Sequence, residues 1–452
     1  MKNNDFLGKE SIGKLLFRLS IPTVVAQLIN MLYNIVDRIF IGHMPNDGDV
    51  ALTGVGVCLP IIMIVTAFAA LISSGGAPRA SIFMGKKDFD SAEKVLGNCF
   101  ILQIIISIIL TVLLLVFNKP LLILFGASDK TIEYASTYIT IYALGTIFVQ
   151  LTLGMNSYIT AQGFSKIAMV TVLIGAVCNI ALDPIFIYGF NMGVKGAALA
   201  TIMSQSLSSS FVLLFLFSKK TLLKIKLSNM KLQAKIIFPC MALGLAPFIM
   251  QASESIIIVC FNTSLQKYGG DIAVGAMTIL SSVMQFAMLP LQGLAQGAQP
   301  ITSYNYGARN VSRVISTFKL LLLVSLTYST VLYLIVMLFP KGFASLFTDK
   351  IDLINYTGSV IRIYFAVLLI FGIQIACQMT FVSIGNAKSS IMVAFVRKFV
   401  LLLPLIYIVP MLANDKTIGV YLAEPISDFI AVSFTAILFT FQFKKSIKLI
   451  SE

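Results

Sequence analysis

The sequence predicts an all-α polytopic membrane protein with twelve transmembrane helices, arranged as two parallel six-helix repeats. Three observations carry this. Of 452 residues, 58% are apolar and 12% charged, with a mean hydropathy of +0.93, whereas a soluble domain runs nearer half apolar and a quarter charged. Apolar runs of about 20 residues or more, enough to cross a bilayer, recur along the whole chain. The second half also repeats the first at a fixed offset of 222 positions. Such a composition excludes a soluble enzyme, a nucleic-acid binder and a disordered chain, and no polar stretch is long enough for a large extramembrane domain.

Taken in order, residues 1–14 lead into the first apolar run without a small-residue cleavage site, so no cleavable signal peptide is expected. The spans fall near 15–42, 51–84, 93–117, 134–162, 166–189, 194–218, 236–265, 272–305, 314–339, 355–385, 389–411 and 417–443. Pro78 and Pro300, near the ends of the second and eighth, predict a kink or break with a short interfacial piece beyond. The glycines of Ser73-Ser74-Gly75-Gly76 and of 293–297 lie within spans and follow no strand. They read as close-packing points rather than phosphate cradles. Cys58, Cys99, Cys178, Cys240, Cys260 and Cys377 are scattered in apolar segments without a C-x-x-C pair, and His43 is the one histidine. A zinc or haem site therefore lacks ligands, and the cysteines read as small hydrophobes.

The net charge of +14 is explained by topology. With the N-terminus inside, about two thirds of the 33 basic residues fall on inner loops and tails, the positive-inside pattern. The outer loops carry Lys119, Lys130, Lys195, Lys267, Lys341, Lys350 and Lys416. The expectation is a multi-pass plasma-membrane protein with both termini cytoplasmic. An N-terminal lobe (1–218) and a C-terminal lobe (236–452) would be joined by a lysine-rich cytoplasmic linker (219–235).

At the 222 offset, Asp49-Val50-Ala51 falls on Asp271-Ile272-Ala273, and Pro78, Ser81 and Gly85 fall on Pro300, Ser303 and Gly307. Tyr134, Tyr142, Gly163 and Lys166 meet Tyr356, Tyr364, Gly385 and Lys388. Six spans per half give both halves the same orientation about an axis along the membrane normal, the parallel-repeat plan of secondary transporters. One chain then encloses a cavity, so a monomer suffices.

Acids within spans are costly and mark function by default. Asp37 and Asp183 each lie about six residues from the outer end of their helices, roughly 9 Å deep at 1.5 Å per residue. Asn179 shares Asp183's face one turn earlier, and Thr201 enters at a comparable depth. Two carboxylates, an amide and a hydroxyl form an oxygen-rich nest for a small hard cation such as Na⁺, or for a proton shared by the carboxylates. The alternative, Asp37 pairing with Arg38, is poor because adjacent residues diverge on a helix and Arg38 can snorkel outward. The repeat supplies no counterpart acid for either. In the second half, Glu254, Glu424 and Asp428 accompany Arg362, Arg397 and Lys398. They read as a neutralising network, or, for Glu254 near mid-span, as a cavity acid attracting cationic substrates.

These residues carry a resemblance to the multidrug and toxic compound extrusion (MATE) family. Val36-Asp37-Arg38-Ile39-Phe40-Ile41-Gly42 is similar to its V-D-x-[IV]-F-[IV]-G stretch, and Asn179 to Phe186 to its N-x-x-L-D-P-[IL]-[FL] motif. Gly193 to Ala198 matches the entrance to helix six. Arg397, Leu401-Leu402-Leu403-Pro404 and Leu422-Ala423-Glu424-Pro425 resemble the last two helices of bacterial members. The resemblance implies V-shaped lobes of the MATE/MOP type and a non-enzymatic, Na⁺- or H⁺-coupled antiporter exporting organic cations and drugs. Coupling would map to Asp37 and Asp183, with cation ligands at Asn179 and Thr201, and no other cofactor. A branch of the family adds a helix-seven glutamate and a helix-ten aspartate; Glu254 supplies the first, and 355–385 holds no acid. The alternatives are a lipid-linked-substrate flippase of the same superfamily, a major-facilitator carrier, for which 83–88 lacks the D-R-x-G-R-like loop, and a membrane enzyme, whose motifs are missing.

Overall fold

The computed structural model describes residues 6–45 and 48–451, and among them no strand occurs. Nine continuous helical stretches of the described residues are long and apolar enough to cross a membrane, and two bent pairs meet the same test. One stretch, Ala234–Gly307, holds two spans, because Gly270 turns the chain at φ 65 between them, a conformation glycine adopts without strain. The total is the twelve that the sequence predicts. They are α1 (Ile12–Gly42), α2 (Gly48–Gly85), α3 (Phe89–Val116), α4 (Ile132–Leu144 with Thr146–Ala161), α5 (Ser165–Gly189) and α6 (Val194–Phe217) in the first lobe. The second lobe has α7 (234–269), α8 (271–307), α9 (Val311–Leu338), α10 (Ile351–Tyr364 with Leu368–Ser383), α11 (Ala387–Leu412) and α12 (Lys416–Ser451).

Three features depart from expectation. The halves of α4 meet at 57° around Gly145, and those of α10 at 47°. Conversely, α2 and α8 run unbroken through Pro78 and Pro300 to Gly85 and Gly307. Both prolines are buried, and the Pro300 carbonyl accepts from Ser81 Oγ at 3.4 Å. Neighbouring helices thus hold the chain helical across each missing N–H. Finally, α12 continues well past 443, to Ser451.

The repeat is visible in backbone detail. Lys87 and Arg309, 222 apart, hold φ of 63 and 57, and Gly163 and Gly385 hold 84 and 78. Asp88 Oδ1 accepts from the Ser91 N–H at 3.0 Å, and Asn310 Oδ1 from the Arg313 N–H at 3.2 Å, so the same turn caps α3 and α9.

Between the lobes, contact concentrates at the end where the termini lie. A Cβ on Gly85 would fall on the Tyr304 carbonyl, and one on Gly307 on the Ile82 carbonyl. Likewise Gly75 abuts Cys240 and Gly297 abuts Ser20, while Gly244 meets Leu71 and Gly293 meets Val24. The first pair of contacts is related by the 222 offset and the other two follow it to within two positions, so the interface is close to self-complementary, as across a two-fold axis. The glycines act as the sequence suggests, letting backbones touch. One buried core there draws on both lobes, from Leu15, Met84 and Tyr158 to Ile301, Leu321 and Ala376. At the opposite end the cores are separate, one from Ile41 to Ala198 and one from Ile257 to Ala423. The lobes therefore form a V, closed at the terminal end and open at the other.

Two segments fasten the closed end. The short helix Phe6–Lys9 buries Leu7, whose carbonyl accepts from Asn305 Nδ2 at 2.9 Å and Arg313 Nη2 at 3.0 Å; Arg313 Nη2 also donates to the Glu10 carbonyl at 2.7 Å. Phe6 meanwhile packs on Gly163 of the first lobe. The linker is likewise docked. Gln162 Oε1 accepts from Thr221 Oγ1 and from the Leu222 and Leu223 N–H groups, all within 2.9 Å. Asn98 Oδ1 accepts from the Gln233 N–H at 2.7 Å. Lys226 pairs with Glu93, whose hydrogen bond and charge hold the ammonium pKa above its usual value.

Candidate functional site

Asp37 sits one and a half turns before the end of α1, at the open end of the V, with 8% of its surface exposed. On α5, Pro184 is followed by the π-helical turn Ile185–Gly189, and the Tyr188 hydroxyl donates to the Phe40 carbonyl at 2.6 Å. That bond ties the end of α5 at the open side of the V to α1. It holds the buried Asn179 and Asp183 toward Asp37. Asn179 Nδ2 donates to Asp183 Oδ1 at 3.3 Å, and the Asp37 and Asp183 charges are within electrostatic reach of each other.

Three oxygens of this cluster have no hydrogen-bond partner: Asp37 Oδ1, Asn179 Oδ1 and Asp183 Oδ2. Buried carboxylate and amide oxygens left bare are costly, and they call for a hydrogen-bond donor, a cation or, on the carboxylates, a proton. Thr201 is half-buried, donates to its own helix at Ala197 O, 3.1 Å, and lies beside the Tyr138 hydroxyl. Arg38 is exposed, as its position beside Asp37 requires.

Sequence reasoning missed Tyr33, Tyr138 and Gln205. Tyr33, one turn before Asp37, and Tyr138 are within electrostatic reach of that carboxylate. Tyr33 lies beside Gln205, whose Oε1 is buried without a partner. The i−4 spacing of Tyr33 from Asp37 was the available signal.

In the second lobe, Arg397 Nε and Nη2 both donate to Asp428 Oδ1 at 2.9 Å, and Nη2 lies 3.9 Å from Glu424 Oε1. The guanidinium also stacks 4.6 Å over the Phe371 ring. Lys398 Nζ donates to Glu254 Oε2 at 2.7 Å. Both bases come from the π-helical turn Val396–Leu402, whose wide turn accompanies two consecutive buried basic side chains. Arg362 is not in this network. It is exposed on α10 and donates through Nε to the Met337 carbonyl at 3.2 Å, because it occupies the opposite face of its helix.

Glu254 differs from its partners. Its side chain keeps 44% of its surface accessible, against 6% for Lys398 and 7–8% for Arg397, Glu424 and Asp428. Its α7 neighbours face the first lobe, where Gln251 Nε2 donates to Thr66 Oγ1 at 2.7 Å and Ser255 Oγ to Met63 Sδ at 3.6 Å. Phe68 and Phe248 meet edge-on nearby, with centroids 5.0 Å apart. Glu254 therefore opens on the space between the lobes, among methionine, phenylalanine and amide groups. Among the described residues, no three His, Cys, Asp or Glu side chains group to hold a metal ion.

The MatE family model matches this chain twice, over residues 22–185 and 245–408. The chain belongs to the MatE family. Its two matches cover most of each lobe, and the spacing between them reproduces the internal repeat to within one position. The multidrug export protein MepA of Staphylococcus haemolyticus (strain JCSC1435) is 24% identical over 429 residues, covering 94% of each chain. A MATE crystal structure in a bent conformation superposes with a TM-score of 0.92 at 25% identity over the full length of both chains. An outward-facing multidrug resistance MATE transporter of the MOP superfamily gives 0.90 at 25% identity and 99% coverage of each. This MatE chain is thus a multi-pass membrane transporter with the two-lobed repeat fold.

Proposed function

We propose that this MATE transporter exports organic cations and drugs across the plasma membrane, driven by Na⁺ or H⁺ flowing inward through Asp37 and Asp183. The observation that carries this reading is the cluster of bare oxygens on Asp37, Asn179 and Asp183. It fits a small cation completed by Thr201, or a proton held between the two acids. With the termini cytoplasmic, the V opens outward. An outside ion enters the nest in this state, and substrate bound near Glu254 leaves to the outside. Discharge of the ion to the cytoplasm resets the lobes, which share one cavity and two shapes. A single chain encloses that cavity, so a monomer is the functional unit. No reacting group is assigned, and the activity is transport rather than catalysis. The flippase alternative needs basic groups free in the cavity for a pyrophosphate, whereas Arg397 and Lys398 are buried against carboxylates.

Ethidium efflux from proteoliposomes tests this, under an imposed Na⁺ gradient and separately under a proton gradient. Gradient-driven efflux lost in Asp37→Asn is expected, and the effective gradient names the ion. Efflux undiminished in that variant moves coupling to the second lobe, and no efflux under either gradient sinks the proposal.

A further inference from the structure

The second lobe carries a groove lined by none of the acids described above. Where α10 bends by 47° between Tyr364 and Leu368, it leaves with α12 an open groove of about 660 Å³. Ile363, Ala366, Val367, Leu422, Pro425 and Phe429 line it, and Arg362 stands at one end. The lining is apolar apart from that guanidinium.

Helical side chains lean toward the N-terminus, so the Arg362 head group is carried toward the start of α10. Its level is fixed by its bond to the Met337 carbonyl, in the last turn of α9. Met337 lies one residue from the end of α9, so that level is toward the membrane side opposite the chain's termini. Among the described residues, no carboxylate lies within ion-pair distance of Arg362, which is exposed and takes no part in the second-lobe ion pairs. An unpaired cation beside an apolar trough on that side matches one occupant of stated chemistry: a phospholipid with an anionic headgroup. Its phosphate would meet the guanidinium and an acyl chain would fill the break.

We propose that this groove binds an anionic phospholipid of the leaflet opposite the termini, with Arg362 as the headgroup ligand. The opposite faces of the same turns of α12 carry Glu424 and Asp428, so the lipid would sit directly behind the buried charge network.

The chain contains no tryptophan, so Phe429→Trp places a single indole in the groove. The protein is reconstituted in phosphatidylcholine with a minor fraction of brominated lipid, either phosphatidylglycerol or phosphatidylcholine. Phosphatidylglycerol should quench as though enriched about five-fold at the indole, the factor expected for one basic side chain against an anionic headgroup. Adding Arg362→Gln should equalise the two lipids, and Arg362→Lys should restore most of the preference. Equal quenching by both lipids with Arg362 present overturns the proposal, as does a preference that survives Arg362→Gln. If Arg362→Gln fails to fold after losing its bond to α9, the comparison of the two lipids in the Phe429→Trp protein still decides.

Discussion

Arg397 and Lys398 are neighbours in sequence, yet removing them should have unequal consequences. Arg397→Met strands Asp428 and Glu424, each 7–8% exposed, and losing one partner of a buried charge network costs about 3–5 kcal/mol. Lys398→Met leaves Glu254, which is 44% exposed and can rehydrate, so the loss is nearer about 1 kcal/mol. Thermal unfolding in detergent should separate the two; equal shifts would contradict the geometry. Asp37→Asn, by contrast, removes an acid that, among the described residues, has no basic partner in ion-pair distance. Because a buried charge without a partner is itself a cost, the substitution should not lower stability, while transport in proteoliposomes falls to the uncoupled leak. Asp37, Asn179 and Asp183 were legible because a polar side chain in an apolar run needs a reason to be there. Which face a charge occupies was not. Arg362 counted with the second-lobe bases until its helix phase placed it toward lipid, and Tyr33 and Gln205 were hidden among many similar residues.

The twin turns before α3 and α9 make a matched pair of experiments. Lys87 and Arg309 adopt positive φ, which costs a non-glycine residue about 1–2 kcal/mol. Lys87→Gly and Arg309→Gly should therefore each stabilise by about 1 kcal/mol, read as a raised unfolding midpoint. The caps differ in kind, since Asp88 titrates and Asn310 does not. The hydrogen bond from Ser91 holds the Asp88 carboxyl below its ordinary value of 3.8. A depressed carboxyl contributes fully above its unfolded pKa and loses that contribution as pH falls through the folded one. Amide-exchange protection at Ser91 should thus drop on acidification below pH 3.8, while Arg313 keeps its protection. Parallel loss at both would show a general opening of the helices. At this scale the twelve spans were readable from apolarity and punctuation. The breaks in α4 and α10 were not, because Phe365-Ala366-Val367-Leu368 is as apolar as the helix around it. A bend that changes no residue class leaves no trace in hydropathy.

For the whole molecule, the seal at the closed end of the V depends on backbones in contact. A side chain at Gly75 would strike the Cys240 carbonyl, which cannot step aside. Gly75→Leu should unseat the closed end and expose Cys240, fully buried in this structure, to a membrane-impermeant maleimide from the side on which the termini lie. Unchanged labelling would mean that the seal lies elsewhere. The two-lobed plan could be read from the 222 offset, but not which end is shut. Open and closed forms share every residue, and only contacts such as Gly85 on Tyr304 distinguish them.

The bolt made by Leu7 has a consequence for biosynthesis. Its carbonyl waits for Asn305, 298 residues downstream, and for Arg313, 306 residues downstream. At about 5–20 residues per second, the ribosome takes roughly 15 to 60 s to supply them. Throughout that interval the first lobe must sit in the membrane with its N-terminal segment unlatched, its backbone groups served by water. The sealed form is therefore the last to become available to a nascent chain, and arrest of translation before α8 should yield a lobe whose N-terminal residues are open to protease.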